Sequence, residues 1–153
     1  MSNLTFSLSG KSESSAKFRA KVRHFELLVD EPQALGGTDL APNPVEYLLA
    51  AYAGCLNVVA HLVAKEYNFE LKSLKINLKG EINPERLFGF SDLQRAGYQA
   101  LEVLLEPETT ASDPLLLEWL QEIERRCPVG DNLQNSTPVA LSIQRREKVV
   151  YFD

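Results

Sequence analysis

The chain has 153 residues, of which 44% are hydrophobic, and its formal net charge is −5. This length is enough for one sizeable core and short for two ordinary domains, so we predict a single domain over residues 1–153. The charge argues against a nucleic-acid partner, because a protein that binds phosphate backbones needs a basic patch and the basic residues here are scattered.

The first residues lack the basic start and apolar run of a secretory signal. Two cysteines without such a signal indicate a reducing compartment, so we expect a cytoplasmic protein with free thiols. The stretch from Tyr47 to Ala64 carries no formal charge over nearly the length of a bilayer span, but Asn57 and His61 interrupt it. We therefore expect a buried helix in a water-soluble protein and no membrane partner.

Alternating apolar and polar residues predict an opening antiparallel meander of three strands. The strands are centred on Leu4, Phe6 and Leu8, on residues 18–23, and on Phe25 to Val29, with a polar turn at 10–16. A loop rich in proline and glycine follows, up to Pro42.

The run Asn43-Pro44-Val45-Glu46 is typical of a helix start. Asn43 suits the N-cap, Pro44 suits the first helical position and Glu46 is placed to close a capping box. We expect this helix to continue to about Tyr67. Residues 71–78 and 98–105 then predict two strands, separated by irregular chain.

A second helix is predicted to begin at Asp113-Pro114 and to end before Pro128. Its apolar stripe is formed by Leu116, Leu120, Ile123 and Cys127, with Trp119 beside it. Cys127 can also cap a further short helical turn that reaches Leu133. A last strand is predicted at Val139, Leu141 and Ile143.

The predicted order is therefore βββ-α-ββ-α-β, which favours the α+β class over a doubly wound sheet. The first helix has too few polar positions for a surface helix, and a subunit of this size could hardly surround it. We therefore expect an obligate homodimer.

The two cysteines are the candidate chemical groups. Cys55 lies in the middle of the first helix, and Cys127 lies at the end of the second, where a helix N-terminus would favour its thiolate. Free cysteines are among the most buried residue types, so inert core packing is the alternative for both.

Several motifs together resemble the OsmC/Ohr family of osmotically inducible and organic hydroperoxide resistance proteins. They are Leu35-Gly36-Gly37, Pro42-Asn43-Pro44-Val45-Glu46-Tyr47-Leu48-Leu49-Ala50-Ala51, Gly54-Cys55 and Cys127-Pro128-Val129. Asp30-Glu31-Pro32 and Thr137-Pro138-Val139 extend the resemblance, which covers roughly Phe18 to Ile143.

The resemblance implies an intertwined homodimer with antiparallel sheets packed around a central buried helix. It also implies thiol-dependent reduction of organic hydroperoxides, with electrons from a dithiol such as a protein-bound lipoyl group or a small thiol, and with no metal or cofactor. Cys55 matches the peroxidatic cysteine, which becomes a sulfenic acid. Cys127 matches the resolving cysteine, which forms a disulfide with it.

The resemblance further implies that an arginine from the N-terminal strands, held by a glutamate, activates the peroxidatic cysteine. Arg23 and Arg19 are the candidates, and we favour Arg23. Glu46 is the candidate glutamate, but it lies nine residues before Cys55 where the peroxidase branch has ten. Nine helical residues span about 13 Å and place Glu46 half a turn out of phase. It therefore either serves the partner's site or only closes the capping box.

Three other functions stay open at this stage. The first is a stress-response or small-ligand-binding protein with the same fold and idle cysteines. The second is another thiol chemistry, such as sulfur transfer. The third is a zinc site formed by both cysteines with His24 and His61, although this set lacks the paired spacing of structural zinc motifs.

Overall fold

The computed structural model describes residues 2–145 and 148–151. The strands are β1 (Ser9–Ser12), β2 (Phe18–Val22), β3 (Phe25–Val29), β4 (Ser73–Glu81), β5 (Ala100–Glu108), β6 (Ser142–Arg145) and β7 (Lys148–Tyr151). The helices are α1 (Pro44–Glu66), α2 (Asp113–Arg126) and α3 (Pro128–Gln134), with one 3-10 turn at Gln33–Leu35. The α+β class and the predicted order are confirmed, with α3 and β7 added to it.

The first sheet is an antiparallel meander in the order β1-β2-β3. Its first strand begins at Ser9, so the strand predicted at Leu4 to Leu8 is wrong. Gly10 pairs with Ala20, and a Cβ on Gly10 would stand 2.5 Å from the ring of Phe18. A side chain at position 10 would therefore clash with the ring. Leu4 to Leu8 precede the strand as exposed chain with no strand neighbour among the described residues.

The turn between β2 and β3 changes the expected place of Arg23. The strand predicted over residues 18–23 includes Arg23, four residues after Arg19, so the two side chains are expected on the same face. Arg23 instead occupies the two-residue hairpin turn with His24, and its φ is 54°. Tight hairpin turns require positive φ values, which break the alternation of the strand. The Arg23 guanidinium lies 5.0 Å from the centre of the Phe25 ring.

Helix α1 extends as predicted, over 23 residues. Five of its residues are buried, namely Leu56, Val59, Ala60, Val63 and Ala64. All five lie in the C-terminal half, so the helix is not buried on most sides within one subunit. By length and mean hydropathy α1 is also long and apolar enough to cross a membrane, a property that it shares with core helices of soluble proteins.

Strands β4 and β5 form a two-stranded sheet. At one end the N–H of Lys72 donates to the carbonyl of Glu108, and at the other the N–H of Gln99 donates to the carbonyl of Glu81. These bonds define an antiparallel pair, and they extend both strands beyond the predicted bounds. Residues 82–99, which the structure describes throughout, form turns and irregular chain.

Helix α2 buries Ile123 of the predicted stripe, and Cys127 after it is buried too, but Leu120 is not. Trp119 is 2% exposed, whereas Leu120 is 45% exposed, so Trp119 and not Leu120 packs in the core together with Ile123. The Trp119 indole N–H donates to the carbonyl of Ala60 at 2.9 Å, and its ring meets Phe69 edge-on. A buried tryptophan needs such an acceptor, which only the tertiary structure supplies.

The last sheet is a hairpin of β6 and β7. The strand predicted at Val139, Leu141 and Ile143 begins only at Ser142, and Val139 and Leu141 are exposed chain before it. Ser142 pairs with Tyr151 across the hairpin. Of the three residues that predicted this strand, Ile143 lies in β6.

The chain divides into two compact units, residues 1–54 with 76–105 and residues 55–75 with 106–153. The first contains the meander and the start of α1, with Ala20 and Asp30 buried. The second has a core built from α1 and α2. The boundary between the units cuts through three elements, namely α1, β4 and β5, and does not coincide with a linker. A single domain over 1–153 stays a prediction.

Candidate functional site

The N-terminus of α1 is closed by the capping box that the sequence predicted. The N–H of Asn43 donates to a carboxylate oxygen of Glu46 at 2.8 Å, and the N–H of Glu46 donates to Oδ1 of Asn43 at 2.9 Å. These two bonds satisfy backbone groups that a helix end leaves without partners. Glu46 is therefore a cap in this subunit, and a catalytic role for it stays a prediction.

Cys55 lies halfway along α1 and is half-buried. The next residue, Leu56, faces the core, whereas the preceding Gly54 faces outward. Apart from its chain neighbours and the nearby backbone of α1, no heavy atom of the described residues lies within 4 Å of the point where a Cβ of Gly54 would stand. The thiol of Cys55 thus stands at the edge of the core, beside an unfilled part of the helix surface.

Cys127 occupies the junction of α2 and α3 and is 1% exposed. Its own N–H completes the last turn of α2 by donating to the carbonyl of Ile123 at 3.0 Å. Its sulfur caps α3 by accepting the N–H of Gly130 at 3.4 Å. The predicted second role of Cys127 as a cap is confirmed, and both bonds fix the sulfur in place.

The two cysteines lie together as free thiols. Burial is the largest cause of a raised pKa at Cys127. The N–H groups of Gly130 and Val129 oppose the rise, and a side-chain hydrogen bond with Cys55 increases it. A thiol that hydrogen-bonds a neighbouring sulfur holds its proton more tightly, because two adjacent sulfurs resist a second negative charge.

The two candidate arginines differ in their ion pairs. Arg19 binds Glu13 through a bond of 2.5 Å and lies 3.8 Å from Glu26. The hydrogen bond with Glu13 is the largest cause that raises the pKa of Arg19. Arg23 forms no ion pair with any carboxylate of residues 2–145, and it lies against Phe25. Of the two arginines, Arg23 is therefore the one whose positive charge is not paired with a carboxylate of the described residues.

Metal binding finds no support in the described part of the chain. No group of three or more histidine, cysteine, aspartate or glutamate side chains there could hold an ion. His24 stacks on Phe25, and the imidazole of His61 hydrogen-bonds the carbonyl of Asn57.

Two residues near the thiols were missed by the sequence reasoning. Arg126, adjacent to Cys127, forms a two-pronged ion pair with Glu66 at the end of α1. We considered Arg126 only as a cation suited to a helix C-terminus. The position of Arg126 directly before Cys127 could have drawn attention to it. Nothing in the sequence around Glu66 indicates that it pairs with Arg126.

A third missed residue lies elsewhere, in the first unit. Asp30 is 1% exposed, and its carboxylate accepts the hydroxyl of Thr38 and the N–H groups of Glu31, Thr38 and Leu40. The Thr38 hydroxyl is the largest cause that lowers the pKa of Asp30, which is about 2. This carboxylate holds together the loop that leads to α1.

An α+β fold that brings together two free thiols, one half-buried on a long helix and one buried at a helix junction, defines a protein with a paired-thiol centre. The sequence model of the OsmC family, described as OsmC-like protein, matches residues 37–142, which include both cysteines. This match spans more than half of the chain. The chain belongs to the OsmC-like family.

Solved structures share the fold at low sequence identity. The OsmC-like protein from Mycoplasma pneumoniae superposes with a TM-score of 0.76 at 18% identity, over 87% of this chain and 89% of that one. An organic hydroperoxide resistance protein OsmC from Legionella pneumophila gives 0.63 at 18%, over 88% and 92%. An organic hydroperoxide resistance protein from Elizabethkingia anophelis gives 0.63 at 19%, over 87% and 90%. No curated protein sequence matches the chain significantly.

Proposed function

We propose that this protein is a thiol-dependent peroxidase that reduces organic hydroperoxides through a Cys55–Cys127 disulfide. The observation that carries the proposal is the pair of neighbouring free thiols in unequal surroundings, Cys55 half-buried and Cys127 buried. Two similar solved structures are named organic hydroperoxide resistance proteins, which supports a role in peroxide stress.

The surroundings of the two sulfurs assign their roles. A peroxidatic cysteine must meet its substrate and react as a thiolate. Cys55 is the more accessible of the two sulfurs, whereas Cys127 is buried and its raised pKa keeps it protonated. Cys127 therefore reacts poorly with peroxide itself. It lies beside Cys55, as a resolving cysteine should.

One hydroperoxide and one dithiol are consumed in each turn of the proposed reaction. The Cys55 thiolate attacks the outer peroxide oxygen, the O–O bond breaks, and the alkoxide leaves as an alcohol after taking a proton. The Cys55 sulfenic acid then condenses with the Cys127 thiol, which forms the S–S bond and releases water. A dithiol, either a protein-bound lipoyl group or a small thiol, reduces the disulfide by exchange and becomes a disulfide itself.

We assign the activating cation to Arg23. Its guanidinium forms no ion pair with a described carboxylate, whereas Arg19 is committed to Glu13. A thiolate in the middle of a helix gains nothing from the helix ends and needs such a positive charge.

The functional unit that we propose is a homodimer in the cytoplasm, where thiols stay reduced. Among the described residues, nine apolar residues are buried while twenty-one large apolar side chains are exposed. Four of the outward residues, Ala51, Gly54, Val58 and Leu62, follow one face of α1 at helical spacing. A second copy would cover them, so sedimentation should show a dimer at micromolar concentration, and a stable folded monomer would contradict it.

The test of the peroxidase is intact-mass analysis after one equivalent of cumene hydroperoxide. The wild-type chain should lose two hydrogen atoms, and a dithiol should restore them. Cys55→Ser should leave the peroxide unconsumed. Cys127→Ser should turn over once and retain one oxygen atom, or a mixed disulfide when a thiol is present. Free cysteines in the wild-type chain beside intact peroxide would refute the proposal.

A binding protein with idle cysteines is the second candidate. The observation in its favour is that Glu46 is engaged in the capping box. If the wild-type chain leaves both cumene hydroperoxide and hydrogen peroxide intact, this candidate takes the place of the first.

A further inference from the structure

The position of Cys127 depends on how the last turn of α2 is held. Arg126, the final residue of that turn, extends to Glu66, the final residue of α1. Its two terminal nitrogens lie 2.5 and 3.1 Å from the two carboxylate oxygens of Glu66. One of them also lies 3.5 Å from Glu122, one turn earlier in α2. A two-pronged guanidinium–carboxylate pair fixes orientation as well as distance.

The neighbouring arginine supplies a natural contrast. Arg125 binds the same Glu122 at 2.6 Å, but this pair stays within α2. The side chain of Arg125 is 71% exposed, whereas that of Arg126 is 28% exposed. Two adjacent arginines of equal charge therefore differ in one respect that matters here: only Arg126 connects α2 to α1.

We propose that the Arg126–Glu66 ion pair is a positioning device that holds Cys127 against Cys55 and so sets how readily their disulfide closes. The proposal deepens the function given above, because closing that disulfide is the resolving step. Arg126 touches neither sulfur, so it is a positioning residue and not a catalytic one.

The physical reason lies in the strict geometry of a disulfide. The bond forms only when the two Cα atoms are within about 7 Å and the side chains point at each other. Cys127 follows Arg126 directly and shares its helical turn. Without the ion pair, α2 remains attached to α1 through the Trp119–Ala60 hydrogen bond and the buried Ile123, so the variants should fold. The end of α2 should then move more freely, which lowers the fraction of time that the thiols meet.

The experiment measures the disulfide equilibrium of the full-length protein in mixtures of oxidised and reduced dithiothreitol. Arg126→Gln and Glu66→Gln should each lower the equilibrium constant for disulfide formation roughly threefold, the size expected for a partly exposed pair. Arg125→Gln should leave it unchanged. The charge-exchanged double variant, Glu66→Arg with Arg126→Glu, should recover most of the loss.

Two results would overturn the proposal. One is an equal loss in Arg125→Gln and Arg126→Gln, which would trace the effect to charge alone. The other is an unchanged constant in both Arg126→Gln and Glu66→Gln. Trapping of the Cys55 sulfenic acid adds a separate readout, because Arg126→Gln should form it at the wild-type rate and resolve it more slowly.

This design separates the two proposals. Oxidised dithiothreitol accepts two electrons from a thiol pair by disulfide exchange, whether or not the protein reacts with peroxide. If the wild-type chain ignores hydroperoxide while the equilibrium constants still follow the predicted order, the peroxidase proposal fails and the positioning role of Arg126 stands.

Discussion

Two substitutions at Glu46 distinguish a structural role from a catalytic one. Glu46→Ala removes both the charge and the capping hydrogen bond, whereas Glu46→Gln removes only the charge. Glu46→Ala removes the 2.8 Å bond that the N–H of Asn43 donates to the carboxylate, while the bond that the N–H of residue 46 donates to Oδ1 of Asn43 remains. Loss of one half of a cap costs about 0.5–1 kcal/mol. For a chain of this size, about 1 kcal/mol corresponds to a fall in Tm of roughly 2–4 °C.

Glu46→Gln is the matched control, since glutamine closes a capping box as glutamate does. Its Tm should stay close to the wild-type value. We also expect both variants to react with cumene hydroperoxide at the wild-type rate, since Glu46 is out of phase with Cys55 on α1. Thermal unfolding and stopped-flow peroxide consumption check these outcomes. A tenfold slower reaction in Glu46→Gln, with Tm unchanged, would refute the reasoning and show that the carboxylate serves a thiol, in the partner subunit.

Three further predictions concern other parts of the chain. Because the pKa of Asp30 is lowered in the native state, its carboxylate stabilises the fold at pH values above its unfolded pKa near 4. This stability is lost as the pH falls towards about 2. The acid unfolding of Asp30→Asn should lack this pH dependence of stability. Trp119→Phe should lower the free energy of unfolding by about 1–2 kcal/mol in urea, since it deletes a buried hydrogen bond to Ala60. Arg23→Ala should slow the reaction of Cys55 with cumene hydroperoxide in stopped-flow measurements, whereas Arg19→Ala should not; the opposite result would transfer the role to Arg19.

The elements with local signals were predictable from the sequence. The start of α1 is the clearest case, because Asn43, Pro44 and Glu46 each have a position-specific reason to be there, and the reciprocal bonds confirm it. Cys127 is similar, since a cysteine followed by proline suits both the end of one helix and the cap of the next. In such places neighbouring residues alone decide the backbone.

The errors arose where the decision depends on distant residues. Leu4 to Leu8 has the alternation of a strand, but the chain pairs with β2 only from Ser9 onward. Trp119 rather than Leu120 faces the core because the carbonyl of Ala60 accepts its indole N–H. The Arg126–Glu66 pair joins residues from two helices, and nothing in either local sequence identifies the other.

Family membership and activity rest on separate features of this chain. Membership follows from the fold and from the stretch that carries both cysteines, and neither depends on the charges around the sulfurs. The proposed activity requires a thiolate at Cys55, and Glu46, nine residues before it, lies out of phase with it on α1. The capping box keeps Glu46 at the helix end, where Asn43 uses it. If Cys55 reacts with peroxide, its activating cation must therefore be held without help from Glu46 of the same subunit, and Arg23, in a hairpin turn whose geometry the backbone fixes, meets that condition.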